Sequence, residues 1–139
     1  MWIIFSILSA FFASLVAIFG KLGLERIDST LATTIRAIIM AVFLFAISLV
    51  MKKFQGLSFE TLDFKEWLFI ILAGIAGALS WLFYFGAIKL GSASAVSALD
   101  RLSIVFVVFF AGIFLGEVLS LKSIFGVLFL LFGAVLISF

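Results

Sequence analysis

The sequence predicts an all-α membrane protein: one domain, residues 1–139, built from five transmembrane helices. Three observations carry that prediction. Hydrophobic residues make up 67% of the chain and charged residues 12%, where a soluble domain carries about 25% charged. The mean hydropathy is +1.50. Five apolar runs, separated by short polar links, are each of the length needed to cross a hydrocarbon layer of about 30 Å. The chain has no His, Cys or Pro. Disulfides and thiolate chemistry are thereby excluded, the usual metal ligand is missing, and carboxylates are the only groups left to carry protons. No metal and no cofactor is expected. The formal charge of +2 is spread over several links, which leaves no polybasic surface for nucleic acid.

The first run, residues 2–20, is uncharged and ends at Lys21. It lacks the basic n-region of a secretory signal and exceeds a typical signal core in length, so it reads as a span. Residues 21–28 form a polar link in which Asp28 or Ser29 is placed to cap the next helix. The second span covers about 29–51 and contains Arg36. Residues 52–66 form the one sizeable loop. Its mixture of Lys52, Lys53 and Lys65 with Phe54, Phe59 and Phe64 suits the headgroup interface. Asp63 followed by Glu66 resembles a capping box and marks the third helix start. Residues 67–88 are the third span, closed by Lys89, Gly91 and Ser92. The fourth span runs from Ser92 to Gly116-Glu117, and Ser120 opens the fifth, which ends at Phe139.

An odd number of spans puts the termini on opposite membrane sides. Lys52, Lys53, Lys65 and Lys122 fall on one side, and Lys21, Arg26 and Lys89 on the other, where Arg36 and Arg101 also point if counted. The positive-inside bias is therefore close to nil, which suits a chain that inserts in both orientations; the alternative is a fixed orientation set by factors that the count ignores.

Ionisable groups inside an apolar run mark candidate sites. Counted from Ser92, Arg101 lies roughly 14 Å along the fourth span, near mid-membrane, where a charge costs about 2.5–3.5 kcal/mol on the lenient scales. Its neighbour Asp100 points about 100° away, so each needs a separate partner. Ser94, Ser97 and Ser103 recur at spacings of three and extend a polar strip beside them. Arg36, roughly 10 Å into the second helix, is a candidate partner for Asp100. One role for these residues is a substrate cavity in which Asp100 holds a proton or an amine and the arginines attract a carboxylate or phosphate. The other is a salt-bridge network that fixes helix order. In the third span Gly74, Gly77, Trp81 and Tyr84 form one stripe with Ser80 beside it, fit to line a pocket or hold a cation. Lys21 suits the interface first and a cavity second. Glu117 suits the start of the last helix. In the fifth span Gly126 and Gly133, seven apart, share a face and form a candidate dimer contact, the alternative being packing against another helix of the same chain. Gly112 and Gly116 form a weaker GxxxG pattern. Intramembrane proteolysis would need a His or a second nearby Asp, which the span lacks unless two Asp100 residues meet at a dimer axis. The chain is not expected to be an enzyme.

Residues 86–139, with LGE at 115–117 and a glycine-containing last span, resemble the C-terminal part of an EamA domain of the drug/metabolite transporter superfamily. KLGLERIDSTLATTIR, residues 21–36, resembles that family's first-to-second helix junction, and WLFYFGAIKLG, residues 81–91, its third-helix end. Many members join two such five-helix domains in inverted orientation. The resemblance thus implies one half of a ten-helix inverted-repeat transporter, rebuilt by an antiparallel, dual-topology homodimer in the cell (inner, cytoplasmic) membrane. Such a protein would move small metabolites or drugs by alternating access. The alternatives are a non-transporting membrane partner and a lipid-linked-sugar flippase subunit. Many members have a proline in the fourth helix; here there is none, so no proline kink is expected. The related small multidrug resistance transporters carry a glutamate in the first helix, where this chain has no ionisable group. The paired arginines favour a small zwitterionic, anionic or amphipathic substrate.

Overall fold

The computed structural model describes residues 1–55, 63–118 and 120–139. Phe59, part of the expected interfacial loop, lies outside them. Among the described residues five helical spans are long and apolar enough to cross a membrane: Trp2–Gly23, Ser29–Val50, Phe64–Leu90, Ala93–Leu115 and Leu121–Ser138. The first three are single helices, α1, α2 and α3, and the last is α6. The fourth is composite. It consists of α4 (Ala93–Asp100), α5 (Ser103–Phe110) and a π-helical turn, Ala111–Leu115.

Helix starts follow the side chains that can satisfy the free amides of a first turn. Asp28 Oδ1 accepts from the amides of Thr30 and Leu31 at 2.9 and 3.1 Å. Glu66 Oε2 reaches back to the Asp63 amide at 3.1 Å, the reciprocal half of the capping box that their spacing predicts. Ser92 Oγ accepts from Ala95 and Ser120 Oγ from Ser123.

Helix ends depend on left-handed residues. Lys52, at φ 56°, closes α2: its amide bonds Leu49 O at 3.0 Å and the Lys53 amide bonds Ser48 O at 2.9 Å. This is a Schellman arrangement with lysine in the place usually held by glycine. The fourth span ends on Gly116, at φ 67°. Both the Gly116 and Glu117 amides turn back to Ala111 O. The glycine of the LGE triplet is thus needed for its backbone angle, and Gly116 of the GxxxG pair stands at a helix terminus.

The fourth span differs from the single helix expected of it. At the Asp-Arg pair the bonding shortens from four residues to three: Arg101 N–H to Ala98 O, Leu102 to Leu99, Ile104 to Arg101 and Val105 to Leu102. Arg101 (φ −66°, ψ −11°) and Leu102 (φ −61°, ψ −19°) have angles close to a 3₁₀ turn. No proline is involved. Residues three apart eclipse in a 3₁₀ turn, so Asp100 and Ser103 stay on one side across the interruption.

The helices divide into two compact units. One contains residues 1–22 and 87–139, and the other residues 23–86. In the first, α4 packs on α6, and Ser138 Oγ is shared between Ala95 O at 3.3 Å and Ala134 O at 2.7 Å. Gly91 lets α3 pass into α4 through a two-residue link, because a Cβ there would sit 3.1 Å from Val96 Cγ2. In this unit Lys21 Nζ, at the end of α1, donates to Ile88 O and Gly91 O at 2.8 Å each and to Lys89 O at 3.5 Å. A cation at a helix carboxyl terminus meets both the unbonded carbonyls and the favourable end of the dipole.

Two left-handed positions give opposite expectations. Gly116→Ala should lower thermal stability in detergent by about 1–2 kcal/mol, and Lys52→Gly should raise it by up to about 1 kcal/mol. Thermal denaturation followed by circular dichroism checks both signs. Lys21→Met should cost about 1.5–3 kcal/mol through the lost charged hydrogen bonds; an unchanged midpoint would remove the capping role.

Candidate functional site

In the unit of residues 23–86, α2 and α3 enclose a groove of about 830 Å³. Its walls follow helical spacing. Arg36, Met40 and Leu44 line it from α2, and Gly74, Gly77 and Trp81 from α3. Neither glycine has any atom within 4 Å of where a Cβ would stand, so both leave the groove open.

Arg36 is held by rings. Its guanidinium carbon lies 3.6 Å from the Trp81 ring centroid and 4.6 Å from that of Phe85. Trp81 and Phe85 are four residues apart on α3 and so share a face, with centroids 5.7 Å apart. Tyr84 completes the cluster, 5.6 Å from Trp81 and 5.8 Å from Phe85. A cation over an indole face is stabilised by about 0.5–2 kcal/mol, the upper end where water is excluded. Arg36 Nε is buried without a hydrogen-bond partner, so the rings stabilise this charge through the face of the guanidinium plane. Thr33 and Thr34, also at the groove, donate their hydroxyls to Ser29 O at 2.7 Å and Thr30 O at 2.9 Å.

The stripe Gly74, Gly77 and Trp81 therefore lines a pocket, and the cation its aromatic end holds is the protein's own. Ser80, expected beside the stripe, is exposed on α3. Phe85 was not legible as a site residue. It is one of 20 phenylalanines, and only its place four residues after Trp81 distinguishes it.

The remaining sequence candidates lie in the other unit. Asp100 and Arg101 are both exposed, at the carboxyl end of α4, and Ser103 is exposed at the start of α5. Ser97 is half-buried, one turn before Asp100. Lys21 directs its ammonium into the α3 terminus. Among the described residues no cluster of three or more His, Cys, Asp or Glu could hold a metal ion.

Residues 1–139 match the EamA-like transporter family. The chain belongs to this family. A relative from Sinorhizobium sp., described as an uncharacterized transporter in the cobO 3′ region, is 42% identical over 137 residues, covering 99% of this chain and 96% of the relative. No solved structure matches the chain. The EamA chain is a multi-pass membrane protein of a transporter family, and its LGE triplet and first helix junction correspond to Gly116 in its left-handed terminus and to the Asp28 cap.

A double-mutant cycle tests the ring clamp. Arg36→Met and Trp81→Leu, singly and together, should show a coupling of about 0.5–2 kcal/mol. Additive losses in unfolding free energy would remove the cation–π interaction from the account.

Proposed function

We propose that this EamA chain transports small metabolites or drugs by alternating access, as an antiparallel homodimer in the cell membrane. The observation that carries the reading is the exposure of Asp100 and Arg101 at an interruption near the middle of the fourth span. Charged groups at that depth, uncovered by their own chain, require water or another protein surface. A second, inverted copy supplies both, since inverted repeats enclose a midplane cavity at their interface.

Three further features support the same reading. On the side assignment that five alternating spans imply, the basic residues divide almost equally between the two sides of the membrane. Gly126 and Gly133 on α6 have nothing within 4 Å of a Cβ position, so that face is open to close approach by another helix. A relative 42% identical to this chain is named as a transporter, in keeping with a transport role. In this scheme Asp100 takes the proton or substrate amine, Arg101 the opposite charge, and Ser97 and Ser103 extend the polar strip.

Because the chain has no cysteine, one introduced at either terminus is a unique reporter. In intact cells each terminus should label from both sides in comparable fractions; wholly one-sided labelling would sink the inverted dimer. In proteoliposomes Asp100→Asn should lower flux by roughly tenfold or more, the loss of about 1.4 kcal/mol of differential interaction. Unaltered flux in a folded Asn variant would remove Asp100 from the cycle. Absence of flux in the wild type for every amino acid and organic ion tried would favour a non-transporting partner.

A further inference from the structure

The groove between α2 and α3 has a sign preference written into its lining. Among the described residues that line it there is no Asp or Glu, and Arg36 is the one charged group. A substrate cation would look for a ring face or a carboxylate. Arg36 already lies over the Trp81 and Phe85 rings at 3.6 and 4.6 Å, so a second cation at these rings would meet its positive charge. The hydroxyl protons of Thr33 and Thr34 are committed to carbonyls of their own helix, so these side chains offer an anion no donor. Recognition of a charged head therefore rests with Arg36. Stacking uses the face of a guanidinium, whereas its N–H donors radiate in the plane, along the edge. The two interactions are compatible on one side chain.

Beyond Arg36 the walls are hydrocarbon: Met40 and Leu44 on one side, and Gly74 and Gly77 on the other, with no atom within 4 Å of either missing Cβ. A volume of about 830 Å³ lies within the range of small-molecule sites, roughly 300–1,000 Å³. We infer that this groove binds a small organic anion with an apolar body, its carboxylate paired with the edge of the Arg36 guanidinium and its hydrocarbon laid along Met40, Leu44, Gly74 and Gly77. In taking this anion as cargo the inference rests on the transporter reading above; as a statement about binding it stands without it.

Trp81 reports on occupancy. Of the three tryptophans, Trp2 and Trp67 are replaced by Phe, and Trp81 fluorescence is titrated with 4-bromophenylacetate, whose bromine quenches on contact. The amine of matched shape, 4-bromophenethylamine, is the control. In zwitterionic nanodiscs the acid should quench saturably and bind roughly tenfold or more tightly than the amine, as expected of a charge-assisted hydrogen bond. Arg36→Gln should weaken the acid by a similar factor. Gly77→Leu, which fills the groove where no atom now stands and keeps Arg36, should weaken it as well, and decides the matter if Arg36→Gln misfolds. Equal binding of acid and amine would overturn the proposal, as would saturable binding undiminished in Gly77→Leu. Loss of quenching in nanodiscs containing an anionic phospholipid would assign the groove to lipid and overturn it too. Saturable binding without flux in proteoliposomes would count against transport alone, whereas flux of the acid unchanged in folded Arg36→Gln would count against the groove alone.

Discussion

Inside a bilayer there is no water to bond a peptide group, so every N–H and C=O in a span must find its partner within protein. Much of the detail in this chain answers to that constraint. Asp28, Ser92 and Ser120 close the first turns of three helices with side-chain oxygens. The end of α3 is closed from a distance, by the ammonium of Lys21 on two carbonyls at 2.8 Å. The end of the fourth span is closed by its own amides returning to Ala111. Around Arg101 the fourth span shortens its bonding instead of abandoning it. Lys21 shows the economy of the arrangement, since a charge that would be a cost in hydrocarbon becomes a cap.

The same solvent treats the membrane charges in two ways. Arg36 is half-buried by its own chain, with Trp81 and Phe85 against it and its Nε sealed from solvent. Asp100 and Arg101 are left exposed. A charge clothed in rings can remain in an apolar wall at modest cost, while an exposed carboxylate and guanidinium at mid-depth create a demand that the chain does not itself meet. In the proposed transporter the two arrangements divide the labour. One recognises charge within a hydrophobic groove, and the other faces a polar cavity shared with a second copy.

Local chemistry made the helix boundaries legible. Asp28, the Asp63–Glu66 box and Ser120 act within four residues of where they stand, so spacing alone places them. The five spans follow from composition, and the family resemblance identifies the domain they make. What the sequence did not disclose depends on contacts between distant residues or on competing backbone states. The partners of Lys21 lie 67 and 70 residues away, and nothing in its neighbours marks it as a cap for α3. Arg36 was paired in expectation with a carboxylate, because opposite charge is the readable signal, whereas a ring face leaves no trace in a chain with 20 phenylalanines. Gly116 was legible as a small residue but not as a left-handed one, since a GxxxG spacing and a helix terminus look alike until the fold assigns the angle. The interruption at Arg101 has no sequence marker at all, proline being absent.

That absence has a consequence. A proline break is permanent, because the ring deletes a donor and blocks the preceding turn. Here Arg101, Leu102, Ile104 and Val105 all retain their amide hydrogens and merely direct them one residue short. Regaining regular α-helix at this point would exchange acceptors without creating or losing a donor. The fourth span is thus interrupted by choice of hydrogen-bond register and not by covalent structure, and the azimuth of everything beyond Leu102, Ser103 included, is set by which register the amides occupy.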